Sequence, residues 1–178
     1  TTDKLRLTIT RSKAVPCISE FSLLLMPSGD EAAADVPEQE DDGALDSEGW
    51  TYSGAGAESA SQAFDGDPES IWETDSTPSH FIVDMKKKQQ VTGFAYLPRQ
   101  DGKTEGMTNR YRFELSTNGK DWTPVSEGEF GNLRANPVEQ IISFEPQKAR
   151  YIRFFSTAAL DGTGSSAAEL RIFGGKSE

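Results

Sequence analysis

Residues 49–178 contain short runs of alternating apolar and polar residues, separated by turns rich in glycine and proline. The run Tyr111–Ser116 alternates cleanly, and the pair Asn118-Gly119 that follows it favours a hairpin turn because both positions tolerate positive φ. Similar short strands are predicted at Phe81–Met85, Val91–Leu97, Glu139–Phe144, Arg150–Phe155 and Glu169–Phe173. No window shows a sustained helical period. This pattern predicts an all-β antiparallel sandwich.

An acidic segment precedes this region. Nine of the 29 acidic residues fall in residues 30–48, a range that contains no lysine or arginine. The segment has no aromatic residues and few large apolar ones, so it cannot bury enough surface to offset the entropy of ordering it. Residues 28–48 are therefore predicted to be a solvated linker, and binding of cations by the loose carboxylates is the weaker alternative.

Residues 1–27 form a third region. Leu5, Leu7 and Ile9 alternate with polar residues, and ISEFSLLLM provides a second apolar strand. Two β-strands alone are only marginally stable in water. We therefore expect residues 1–27 to be the last strands of a preceding domain, or else to pack on residues 49–178.

The composition excludes several classes of function. A net charge of −11 argues against nucleic acid or an anionic membrane as the main partner. The sequence has no apolar stretch of the roughly 20 residues that a membrane span needs. The single Cys17 excludes an internal disulfide, and one cysteine with one histidine, His80, cannot supply a typical zinc site.

The sequence Ala63-Phe64-Asp65-Gly66-Asp67-Pro68-Glu69-Ser70-Ile71-Trp72 is the most informative local motif. It places two carboxylates and a hydroxyl within six positions around a flexible glycine. Calcium prefers six to eight oxygen ligands, including backbone carbonyls. The spacing is compatible with a calcium-binding loop that is not an EF-hand, and equally with a plain Asp-Gly turn.

A set of segments in residues 49–174 resembles the coagulation factor 5/8 type C, or discoidin-like, family, in the form of the bacterial family 32 carbohydrate-binding modules. The segments are AFDGDPESIW, SHFIVDMKKKQQVTGFAYLPRQD, YRFELSTNGKDW, ARYIRFFS and AAELRIFG, in the order that the family shows. The resemblance implies a jelly-roll β-sandwich of the galactose-binding-domain type, with a structural calcium ion.

The resemblance also implies the calcium ligands. They would be the carbonyls of Ala63 and Ala168, the side chains of Asp65, Asp67 and Ser70, and the carboxylate of Glu169. The family usually has threonine where this chain has Ser70, and the hydroxyl is retained. Because Glu169 is about a hundred residues from the loop, the ion would join the two ends of the domain and stabilise the folded state.

Sugar contacts are implied at the loops at one end of the sandwich. The family typically uses a histidine, an arginine and an aromatic residue to bind terminal, often galactose-like, sugars. Arg99 matches the arginine, with Gln100 beside it, whereas Glu73 stands where the histidine is expected. The last loop, Ala159–Ser166, has no aromatic residue, so Tyr52 or Trp50 is expected to supply the stacking face. His80 is expected to be structural.

The segment LRLTITRSKAVPCISEFSLLLMP is similar to the last strands of bacterial family 29 α-L-fucosidases. This implies a secreted, periplasmic or cell-surface bacterial exo-glycosidase with its catalytic domain upstream; a β-hexosaminidase is the alternative host. The chain is predicted to be a non-catalytic module for glycans with terminal galactose- or fucose-like sugars. The alternatives are an enzyme in its own right, and a spacer or protein-interaction module that binds no sugar.

Overall fold

The computed structural model describes residues 43–175, which belong to a compact unit spanning Asp41–Glu178. The described residues form eight β-strands and one short 3-10 helix. In chain order these are β1 Thr51–Gly54, the 3-10 helix Ala60–Phe64, β2 Trp72–Thr74, β3 Ser79–Leu97, β4 Glu105–Ser116, β5 Thr123–Glu129, β6 Gln140–Ala159, β7 Asp161–Ala167 and β8 Glu169–Gly174. The all-β prediction is confirmed. The strands predicted in residues 1–27, and the linker up to residue 42, lie outside the described residues.

Two strands are longer than the sequence pattern predicted. The segments Phe81–Met85 and Val91–Leu97 belong to the single strand β3, and the basic run Lys86–Lys88 between them is an irregularity in that strand. Lys86 has a φ of 68°, and its backbone N–H donates to Asp84 Oδ1 at 2.8 Å. A polar run between two apolar segments is typical of a turn, but here a bulge takes up the polar residues without reversing the chain. In the same way β6 joins two predicted strands.

The sheet curls because β3 and β6 each take part in two groups of strands. The first half of β3 lies between β1 and the second half of β6, whereas its second half pairs with β8 and with the first half of β6. β4 flanks β6 on its other side and carries β5 at its edge. β7 pairs in parallel with β4 and antiparallel with β2. This arrangement brings the loop before β2 close to the start of β8.

The core is built largely from aromatic side chains that point inward from alternate positions of the strands. Phe94 and Phe113 stack with their ring centroids 4.3 Å apart, and both are fully buried. Trp72, also fully buried, packs edge-on against Phe81 and donates from Nε1 to the carbonyl of Ala55 at 3.1 Å. Trp72 therefore fixes the end of the loop that carries the predicted calcium ligands.

The contacts of this domain begin before residue 49, where the sequence pattern placed its boundary. Ala44 forms a β-bridge with Phe173, and the N–H of Leu45 donates to the carbonyl of Ile172 at 2.7 Å. Leu45 also packs against the core. Residues 43–48, predicted as the end of the linker, therefore form part of the domain, because Leu45 offers apolar surface that β8 can cover. Within residues 43–175, no helix is long and apolar enough to cross a membrane.

Candidate functional site

The loop between the 3-10 helix and β2 is held by oxygen atoms that converge on Ser70. The Ser70 hydroxyl lies 2.9 Å from the carbonyl of Gln62, 2.9 and 3.0 Å from the Asp65 carboxylate oxygens, and 3.1 Å from the carbonyl of Asp67. The N–H of Asp67 donates to Asp65 Oδ1 at 2.9 Å. A turn at Gly66, with a φ of 76°, lets these groups face each other.

Glu169, the first residue of β8, reaches the same loop from the other end of the domain. Its carboxyl group lies close to the Asp65 carboxyl group and to the backbone N–H groups of Gly66 and Asp67. Burial, and then the charge of Asp65, raise the pKa of Glu169 to about 7. Glu169 Oε1 is buried and has no hydrogen-bond partner among the described residues. Two carboxyl groups in contact, one with an orphaned oxygen, provide a site that a cation would stabilise.

The donor set fits a hard divalent cation such as calcium. It combines two carboxylates, one hydroxyl and the carbonyls of Gln62 and Asp67, all oxygen atoms. In residues 43–175 no three histidine, cysteine, aspartate or glutamate side chains form a metal-binding group. The Asp67 carboxylate instead accepts from the N–H of Glu69 at 3.0 Å. Carbonyl groups would therefore have to supply the remaining ligands.

The structure thus brings together the predicted ligands Asp65, Ser70 and Glu169. Asp67 contributes its backbone carbonyl, which lies near the Ser70 hydroxyl, and not its carboxylate. Ala63 lies on the adjacent 3-10 helix and Ala168 directly precedes Glu169, and both are fully buried. The sequence analysis missed the carbonyl of Gln62. Its position depends on the turn of the 3-10 helix, which the residue pattern does not indicate.

A separate open cleft of about 420 Å³ lies between β2, the start of β4 and β7. Its lining is polar: Glu73, Thr74, Asp75, Arg99, Glu105, Gly106, Gly162, Thr163, Gly164, Ser165 and Ser166. Glu73 and Arg99, which are 26 positions apart in the sequence, both line it. No aromatic ring is among these lining residues.

Arg99 is held rigidly in this cleft. Only 7% of its surface is exposed. Its Nε donates to Asp101 Oδ1 at 2.8 Å, one terminal nitrogen donates to Asp101 Oδ2 at 2.6 Å, and the other donates to the carbonyl of Glu105 at 2.9 Å. The hydrogen bonds from Arg99 lower the pKa of Asp101 to about 2, so this carboxylate is ionised at neutral pH.

Glu73 faces Arg99 from the middle of β2. Its carboxylate lies 3.8 Å from the Arg99 guanidinium, and its side chain is 65% exposed. Residues 73 and 166 are register partners in the β2–β7 pair. The Ser166 hydroxyl is buried and has no hydrogen-bond partner among the described residues. The cleft therefore pairs an exposed carboxylate with a fixed guanidinium, and Ser166 in its lining has a buried, unsatisfied hydroxyl.

Two of the predicted sugar contacts lie elsewhere. The ring of Tyr52 stacks on Phe64 with centroids 5.3 Å apart. Burial, followed by the charges of Asp65 and Glu169, raises the pKa of Tyr52 to about 12. Gln100 does not line the cleft, because its side-chain amide donates to the carbonyls of Pro98 and Pro137 at 2.6 and 2.9 Å.

The other aromatic candidates also lie outside the cleft. Trp50 is buried and packs edge-on against Phe64 at 5.8 Å between ring centroids. His80 is half-buried against Phe155, at 4.7 Å between ring centroids. Burial and the nearby Arg153 lower the pKa of His80. The expectation that Tyr52 or Trp50 supplies a stacking face next to Glu73 and Arg99 is wrong. Both rings are drawn into the aromatic cluster around Phe64.

The sequence analysis also missed several cleft residues. Asp75, Glu105, Gly164 and Ser166 reach the site through the pairing of β7 with β2 and β4. The parallel pairing of β4 with β7 joins segments that are far apart in the sequence. No local spacing or alternation indicates such a contact.

The family model for the F5/8 type C domain matches residues 44–170, and the chain belongs to this family. Among solved structures, the chain is similar to a family 32 carbohydrate-binding module from a family 31 glycoside hydrolase of Clostridium perfringens. The TM-score is 0.65 at 27% identity, covering 75% of this chain and 96% of the other. It is also similar to the family 32 module of NanJ from the same organism, solved with galactose. There the TM-score is 0.64 at 25% identity, covering 73% and 97% of the two chains.

Among curated proteins, the chain is 32% identical over 142 residues to galactose oxidase of Gibberella zeae. The match covers 73% of this chain but only 20% of that protein. The chain therefore spans about a fifth of the length of this curated relative.

Proposed function

We propose that residues 43–175 are a non-catalytic, calcium-stabilised carbohydrate-binding module. In this proposal the cleft between β2 and β7 holds a terminal sugar, with galactose- or fucose-like sugars as the first candidates. The observation that carries the proposal is the pairing of Glu73 with the buried Arg99 in one open polar cleft.

The chemistry of the cleft suits a polyhydroxylated ligand. The Glu73 carboxylate accepts hydrogen bonds from hydroxyl groups, and the unused N–H groups of Arg99 donate to ligand oxygens. The NanJ module, solved with galactose, has the same fold and supports this class of ligand. The absence of an aromatic ring among the lining residues removes the usual stacking contribution, so we expect weak binding of single sugars.

The calcium ion would be held by Asp65, Ser70 and Glu169 with neighbouring carbonyls. When bound, it supplies positive charge that compensates the two carboxylates and links the loop before β2 to β8. Its role is structural, since the cleft with Glu73 and Arg99 is lined by a separate set of residues.

We further propose that the module is linked to a secreted carbohydrate-active enzyme. An α-L-fucosidase is the host that the sequence of residues 1–27 suggests, with a β-hexosaminidase as the alternative. A tethered module of this kind raises the local concentration of its enzyme on glycans. The similarity to one domain of galactose oxidase supports linkage to a sugar-acting enzyme in general.

The proposal is tested by a glycan array and by isothermal titration calorimetry, with the chain, 1 mM calcium and methyl galactosides or fucosides. Glu73→Ala removes an exposed side chain and is expected to abolish or strongly weaken binding without loss of stability. Glu145→Ala, which changes an exposed residue outside the cleft, is the matched control and is expected to bind normally.

Two results would overturn the proposal. If the wild-type chain binds no glycan while calcium stabilises it, the domain is a spacer or a protein-interaction module. If the purified chain hydrolyses aryl glycosides, it is an enzyme in its own right.

A further inference from the structure

We propose that the cleft between β2 and β7 selects sugars by charge. It binds neutral hexoses, binds hexosamines with a protonated free amine more tightly, and discriminates against uronates and other acidic sugars. This inference rests on the proposed function, because it assigns a ligand class to the same cleft.

The first observation is the charge of the lining. Three acidic residues, Glu73, Asp75 and Glu105, line the cleft together with one basic residue, Arg99. In the described part of the chain, no cation lies within salt-bridge distance of Asp75 or Glu105. An ammonium group entering this cleft would therefore meet unpaired carboxylates, and a second carboxylate would be repelled by them.

The second observation is that the Arg99 guanidinium is already occupied. Of its five N–H groups, two donate to Asp101 in a bidentate pair and one donates to the carbonyl of Glu105. The bidentate pair is the strong geometry in which arginine recognises a carboxylate. The pair with Asp101 thus occupies one bidentate edge of Arg99 and offsets its positive charge, while one N–H on each terminal nitrogen remains for ligand oxygens.

The third observation is a polar group that lacks a partner. Ser166 lines the cleft and is 1% exposed, and its buried hydroxyl has no hydrogen-bond partner among the described residues. A buried hydroxyl without a partner is costly, and a ligand hydroxyl or amine that reaches it removes this cost. This independent feature indicates that the cleft is built to receive a polar ligand.

Calorimetric titration of the chain with three matched probes tests the inference. The probes are the methyl glycosides of galactose, galactosamine and galacturonic acid, at about pH 6, where the amine is protonated, and at low ionic strength. We expect galactosamine to bind about fivefold more tightly than galactose, and galacturonate to bind at least about fivefold more weakly. Raising the salt to 1 M should bring the three affinities together.

The outcomes separate the inference from the proposed function. Equal affinities for the three probes, or tighter binding of galacturonate, would overturn the charge selection and leave the sugar site intact. If the chain binds none of the three probes and no glycan on an array, the sugar site itself is overturned.

Variants assign the selection to particular residues. In Asp75→Asn/Glu105→Gln the ratio of the galactosamine affinity to the galactose affinity should fall to about one. Asp101→Asn should free the Arg99 fork and raise the affinity for galacturonate. Glu145→Gln, an exposed position outside the cleft, is the control and should keep the wild-type order. An unchanged order in the double variant would contradict the assignment.

Discussion

Replacing Asp101 by asparagine removes the carboxylate that pairs with the buried guanidinium of Arg99. Hydrogen bonding to Arg99 lowers the pKa of Asp101 from 3.8 to about 2. A tenfold change in an ionisation equilibrium corresponds to about 1.4 kcal/mol, so this difference corresponds to roughly 2 kcal/mol of folding stability at neutral pH. Because the Asp101 side chain is 32% exposed, solvent screening reduces the expected loss to about 1–2 kcal/mol.

The pH dependence follows from the direction of the pKa change. The pKa of Asp101 is lower in the folded state, so its contribution is present above about pH 4 and is lost as the pH falls toward 2. Urea denaturation of the wild type and of Asp101→Asn, from pH 7 down to the lowest pH at which both fold, measures this difference. The difference in free energy of unfolding between the two proteins should become smaller as the pH falls below 4.

The matched control is Asp121→Asn. Asp121 is exposed and accepts a hydrogen bond from the side chain of Asn118. We expect this variant to lose much less stability than Asp101→Asn. A loss in Asp101→Asn that is below about 0.5 kcal/mol at pH 7, or that does not change with pH, would refute the view that Arg99 and Asp101 form one rigid unit.

Two further predictions concern the calcium loop and the cleft wall. Saturating calcium should raise the Tm of the wild type by several degrees, since calcium at a hundredfold excess over its Kd adds about 2.7 kcal/mol. Glu169→Gln should abolish that rise while remaining folded in chelator, because it removes one of two carboxyl groups in contact; an equal calcium response by scanning calorimetry would contradict this. Gly164→Ala should lower the free energy of unfolding, measured in urea, by about 1–3 kcal/mol, because the added Cβ would clash with the carbonyl of Thr74. If this variant is as stable as the wild type, the strands that form the cleft wall can move apart.

The fold class could be predicted from the sequence because apolar and polar residues alternate along most of the strands. Tyr111–Ser116, for example, lies within β4 with Tyr111, Phe113 and Leu115 all buried. The continuity of β3 and β6 could not be predicted in this way. A polar run such as Lys86–Lys88 is typical of a turn. Only the pairing with neighbouring strands shows that the chain continues in the same direction.

The same contrast applies to the site. Asp65 and Ser70 lie in one short motif, and the resemblance to a known family linked them to the distant Glu169. The arginine and histidine positions of the family likewise led to Arg99 and to Glu73. The position of Tyr52 depended instead on which rings pack around Phe64, and that of Glu105 on the β4–β7 pairing. Such contacts arise from tertiary packing, which local sequence does not encode.

A titration of the ¹⁵N-labelled chain with methyl galactoside, followed by heteronuclear NMR, tests the location of the sugar site most directly. If the account is right, the amide signals that shift will be those of Glu73, Glu105 and residues 163–166. Shifts confined to the region of Tyr52 and Phe64, or no shifts at millimolar sugar, would contradict it.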